Sequence, residues 1–137
     1  MIYIPLANKK YVYHCFVHAS LTAMRRSVLR LHKNRLCRRI CAYAACYRRN
    51  PRHVYMHFCR EYFTPKVMAH ELTHAALFCR GYGLRGVHRR KIRHEDLASD
   101  VGDSLEVLMR GYEARKRRKW EVTRAPSGRF HVREIKC

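Results

Sequence analysis

Acidic residues are scarce in this chain: ten Asp and Glu stand against thirty Lys and Arg, a formal net charge of +20. A field of that sign attracts polyanions, of which nucleic acid is the first choice, with an anionic membrane surface or an acidic protein as the alternatives. Long apolar runs are missing too. The longest clean one, Ile40 to Cys46, is far below the eighteen or so residues that cross a bilayer as a helix. The opening MIYIPLANKK lacks a positive segment followed by an apolar stretch, so no secretory signal is read and a cytoplasmic location is expected. There is no internal repeat, no low-complexity tract and no CxxC pair. The seven cysteines are odd in number and read as small core residues of a reducing compartment, with Cys37 and Cys41 expected on one helical face. A length of 137 residues supports one domain, residues 1–137, with one modest core.

The apolar pattern suggests an α+β class. Met1–Leu6 and Tyr11–His18 are rich in Ile, Tyr and Val and read as extended segments. From Ser20 to about Tyr47, apolar residues recur at near-helical spacing, which predicts one long helix or two shorter ones broken near Lys33-Asn34. Asn50-Pro51 is a stop signal. His53–Phe58 alternates as a strand, with His53, Tyr55 and His57 on one face and Val54, Met56 and Phe58 on the other. A helix is expected from Thr64 as N-cap and Pro65 at the first position to about Cys79. Another is expected over 94–115, with Leu97, Val101, Leu105, Leu108 and Tyr112 as one stripe. The basic tail, 116–137, holds two short β-like runs around Pro126-Ser-Gly128 that suit a hairpin.

Residues 70–74 read His-Glu-Leu-Thr-His. Positions four apart stack on one helix face, so two imidazoles can converge on one Zn²⁺, while the intervening glutamate reaches the water that the ion activates. His70 and His74 are therefore the candidate metal ligands, and Glu71 the candidate catalytic base. Random order at this composition gives about 0.04 such matches in a chain of this length. The small neighbours Ala69, Ala75 and Ala76 permit close packing around the site.

A third ligand has to come from elsewhere. The metzincin extension needs glycine at 77 and histidine at 80, where this chain has Leu77 and Arg80. A glutamate on a following helix is the other solution, and Glu95 lies 21 positions after His74. Asp96, His88 and His94 are the alternatives. Gly102, two turns beyond Glu95, is expected to let this helix approach the first closely. HELTHA at 70–75 followed by HEDLASDVG at 94–102 resembles the thermolysin-type, or gluzincin, arrangement, over about a quarter of the chain. It is also similar to small phage-encoded metallopeptidase-like proteins. The resemblance implies a minimal zincin-like fold, with a small sheet packed on the HExxH helix and a second glutamate-bearing helix. His70, His74 and Glu95 would be the zinc ligands, Glu71 the base, and the host cytoplasm the location if the chain is phage-encoded. The chain departs from that pattern at Ser99, where a second-shell aspartate is expected; Asp100 is adjacent. Tyr82, His88, Tyr112 and His131 are candidates for stabilising an oxyanion.

The function these residues imply is a zinc-dependent metallopeptidase acting on a peptide or protein, acidic or associated with nucleic acid. Two other classes compete with it. One is a basic module that binds nucleic acid; the other is a zincin-fold protein that binds a host partner without turnover.

Overall fold

The computed structural model describes residues 1–83 and 89–136. Strands β1 (Ile2–Asn8) and β2 (Tyr11–His18) form an antiparallel hairpin whose turn places Lys9 at a positive φ of 55°. Helix α1 (Leu21–His32) begins where the Ser20 hydroxyl accepts the Ala23 N–H at 3.2 Å, and ends at Lys33 in the left-handed region. The helix expected beyond it does not form. Residues 33–41 have no regular structure, and β3 (Ala42–Tyr47) pairs antiparallel with β4 (Asn50–Cys59). Alanine and cysteine fit either state there; pairing with β4 decides it. Cys37 and Cys41 therefore do not share a helical face. The six described cysteines are all free.

The helix over the HExxH motif is α2 (Pro65–Phe78), capped by the Thr64 hydroxyl on the Val67 N–H at 3.3 Å with Pro65 in its first turn. Helix α3 (His94–Arg115) and the hairpin of β5 (Lys119–Arg124) with β6 (Phe130–Ile135) complete the chain. Among the described residues the class is α+β, with three α-helices, a four-stranded sheet and a two-stranded one. No described helix is long and apolar enough to cross a membrane.

The larger sheet has the order β1-β2-β4-β3, with β2 and β4 parallel. β4 is thus an interior strand, and β1 and β3 are the edges. Strand alternation gives the sheet two faces of different chemistry. Ile2, Ile4, Leu6, Tyr13, Cys15, Val17, Val54, Met56 and Phe58 point to one side, where Met68, Leu72 and Ala75 of α2 and Leu108 of α3 close an apolar core. The other side carries Phe16, Tyr55 and the histidines of β2 and β4, covered by Leu31 of α1 and by Val122 and Phe130 of the small hairpin.

The glycine that permits close packing is Gly111, not Gly102. A Cβ at 111 would stand 2.6 Å from Ile4 Cγ2, so α3 rests its backbone on β1 there. Gly102 is exposed, and a Cβ there would meet nothing within 4 Å.

Candidate metal centre

His70 and His74 lie one turn apart on α2, and both are exposed. Their Nε2 atoms are 3.1 Å apart and their rings stand at 80°. Two imidazole nitrogens on one tetrahedral Zn²⁺ stand about 3.3 Å apart when each bond is about 2.0–2.1 Å, so the separation of the pair is close to that of two ligands on one ion. Burial and the neighbouring His70 lower the pKa of His74, keeping its ring in the neutral form that a metal requires.

Glu71 points inward. It is 7% exposed, and burial raises its carboxyl pKa, with the positive charge of His70 working in the opposite direction. A carboxyl shifted upward is a better proton acceptor in its ionised form than an ordinary surface glutamate. His70 and Glu71 line a groove of about 530 Å³ between α2 and the chain entering β3. Lys66, Val67, Ala69 and Thr73 complete the helical wall, and Arg39, Ile40, Cys41 and Ala42 form the opposite one. Those last four residues were not singled out by spacing, because the loop before β3 looked helical. The Arg38-Arg39 pair was the only local signal.

The residues proposed to complete the ligand set lie elsewhere. Helices α2 and α3 run antiparallel. Arg80, just past α2, donates to Asp100 Oδ2 at 2.6 Å, while at the other end Phe63 packs on Tyr112 with ring centroids 4.7 Å apart. At about 1.5 Å per residue, His74 lies about 9 Å before Arg80 on α2. Glu95 lies about 7 Å beyond Asp100 in the opposite direction by the same rise. The two are thus separated by about 16 Å along the helix axes, too far to share an ion bonded at about 2 Å to each. His94 is one residue farther still. Asp96 lines a different cleft with Lys9, Arg80, Arg90 and Asp100. Asp100 is held by Arg80 and by Lys9 at 3.7 Å, so it fastens the helices instead of supporting a ligand. His88 lies outside the described residues. Among the described residues no three His, Cys, Asp or Glu side chains converge as a metal site.

The oxyanion candidates are also dispersed. The Tyr112 hydroxyl accepts from Arg60 Nε at 3.2 Å at the far end of α3, and Tyr82 donates to the Arg90 carbonyl at 3.4 Å. His131 stands on β6, on the opposite side of the sheet.

That opposite side holds a second group of imidazoles. His18 Nε2 is 3.0 Å from His57 Nδ1, and His57 Nε2 is 2.7 Å from His32 Nε2. The chain of contacts ends on the Tyr47 hydroxyl, bonded to His32 Nδ1. A parallel run joins Tyr3 to His14 at 2.8 Å and His14 to His53 at 2.8 Å. Burial depresses His18 to about 3 and His32 to about 4, and holds His57 well below its ordinary value. These rings are therefore neutral, each with one N–H and one bare nitrogen, and the run is satisfied in either direction. The i, i+4 spacing of His14 with His18 and of His53 with His57 was visible as a strand pattern. Comparison of the chain with protein-family models, with curated proteins and with solved structures finds no match.

Proposed function

We propose that this chain is a small zinc-dependent metallopeptidase of zincin-like architecture. The observation that carries this reading is the pair of Nε2 atoms 3.1 Å apart on His70 and His74, with His70 and the buried Glu71 lining one groove. Zinc in that position would supply a Lewis acid that polarises a peptide carbonyl and brings the pKa of water toward neutrality. The chain's own contribution is proton handling and placement. Glu71 accepts a proton from water on its carboxylate and returns it to the departing amine nitrogen. Among the described residues β3 is an outer strand of the sheet, and Ala42 at its start lines the groove, where an extended peptide can add as a further strand. Arg39 and Lys66 make the groove's rim cationic, which suits an acidic peptide.

Metal content tests the reading directly. Wild-type protein purified with zinc supplied is expected to hold about one ion per chain, and His74→Ala much less than half of that. A wild-type chain free of metal under those conditions removes the proposal.

A further inference from the structure

The sixty residues from Met1 to Arg60 contain thirteen Lys and Arg and not one Asp or Glu; the first acid is Glu61. Six of the ten acids instead lie on α3: Glu95, Asp96, Asp100, Asp103, Glu106 and Glu113. Because α3 and α1 cover opposite faces of the sheet, most of the acid lies on one side, while the other carries the cations of α1 with only Glu121 and Glu134 of the small hairpin beside them.

On the positive side a seam runs between α1 and β5. Arg26, Arg30 and Lys33 occupy i, i+4 and i+7 along α1 and its C-cap, one stripe with about one cation per turn. All three are exposed, and among the described residues none is ion-paired. The seam opens into two clefts that share Arg30. One, of about 680 Å³, is lined by Arg30, Lys33, Thr123 and Arg124. The other, of about 280 Å³, is lined by Arg26, Ser27, His18 and Trp120, with Glu121 its sole acid. Glu121 is already taken by Arg133, at 2.7 and 2.6 Å. Two buried polar atoms beside this second cleft have no partner among the described residues: the Ser27 hydroxyl, on a residue only 7% exposed, and the Trp120 Nε1–H. Exposed cations along an open cleft, with its one acid already paired, make a groove suited to an anion.

We propose that the α1–β5 seam is a docking surface for the phosphate backbone of nucleic acid, separate from the His70–His74 groove and independent of whether that groove turns over a peptide. Guanidinium forks dominate the acid-free segment, ten Arg against three Lys, and they match phosphate geometry bidentately. A lipid surface fits less well. The apolar side of α1, Met24, Val28 and Leu31, is wholly buried on the sheet, which leaves Leu29 as its one exposed large apolar side chain, too little for a face that inserts. Contacts of this kind go to phosphate and sugar, so binding is insensitive to base sequence and steep in salt.

Trp120 is the only tryptophan, so its emission reports on the seam alone. The test titrates a fluorescein-labelled 20-nucleotide single strand and a 20-base-pair duplex into wild type and two triple variants of equal net charge. Arg26→Gln, Arg30→Gln, Lys33→Gln strips the seam; Lys91→Gln, Arg93→Gln, Arg110→Gln strips the α3 side. The seam variant is expected to bind at least about tenfold more weakly at 50 mM salt and to lose about two units of the log–log salt slope, at about 0.7–0.9 per phosphate contact. The α3-side variant is expected to stay within about twofold of wild type, and Trp120 emission to move on binding in both it and wild type. Matching melting curves confirm that each variant is folded. Equal weakening by both triples, unmoved Trp120 emission at saturation, or tighter binding to vesicles containing phosphatidylglycerol than to either oligonucleotide overturns the proposal.

Discussion

Two sets of imidazoles sit on opposite sides of the four-stranded sheet, and their surroundings give them opposite characters. His70 and His74 are exposed on α2, where burial weighs far less against a cation than it does inside the molecule. His18, His57 and His32 are enclosed between the sheet, α1 and the small hairpin, where burial disfavours a proton and the cationic N-terminus, Arg30 and Arg124 add to the effect. On the proposed reading the same side chain would be a ligand in one place, while it is a neutral packing and hydrogen-bonding unit in the other. Burial makes the difference, with charge environment reinforcing it.

The comparison fails most visibly if the exposed side is not chemical. Glu71→Gln is expected to lower turnover of a peptide substrate by about 10²–10⁴-fold while zinc content is unchanged. Parallel kinetics and metal analysis check both, and unreduced turnover would remove Glu71 from its role. The buried side is expected to respond to acid. A histidine whose folded pKa lies below the unfolded value of about 6.5 leaves the unfolded chain binding more protons, so its stability is complete above pH 6.5 and is lost as pH falls toward 4 and 3. By pH 5, His18 and His32 are each expected to have lost on the order of 2 kcal/mol, which urea midpoints at pH 7.5 and 5.0 would register. His74→Ala should leave that acid sensitivity intact; if it abolishes it, the sensitivity belongs to the wrong cluster.

Truncation separates the two sets further. His57→Ala empties the middle of the run, strands nitrogens on His18 and His32, and is expected to cost about 3 kcal/mol in denaturant unfolding. His70→Ala is expected to stay within about 0.5 kcal/mol of wild type in the absence of metal. A comparable loss in both would mean that exposure does not distinguish them. The smallest effects concern the helix that carries the acids. Gly102→Ala should stabilise by up to about 1 kcal/mol, because the position is open and glycine is a poor helix former. Gly111→Ala should destabilise by about 1 kcal/mol, since overpacking against Ile4 exceeds the propensity gain. A thermal melt of each variant decides the sign.

Much of this arrangement was legible in the residues. Thr64 and Pro65 mark the start of α2, the stripe from Leu97 to Tyr112 marks α3, and the histidine pair with Glu71 follows from spacing alone. What was illegible depends on tertiary partners. Ala42–Tyr47 has a helical composition and becomes a strand because β4 offers it a ladder. The distance from Glu95 to His74 is set by the Arg80–Asp100 bond, a contact between separate helices that no local pattern encodes. Gly111 and Gly102 are equivalent on paper until Ile4 is known to lie under only one of them. Similarly, the imidazole run needs the parallel register that sets Phe16 opposite His57 and brings His18 diagonally to it.

The parallel pairing of β2 with β4 has a consequence for how the chain reaches this state. The β1–β2 and β3–β4 hairpins close over short turns and can form early, but aligning His14 with Tyr55 requires the whole intervening chain, α1 included, to be gathered first. Closing a loop of that length is entropically expensive before any contact rewards it. The slow step of folding should therefore be the docking of one hairpin on the other with α1 laid across the join. Until it occurs, the interior edges of both hairpins stay open to pairing with another chain.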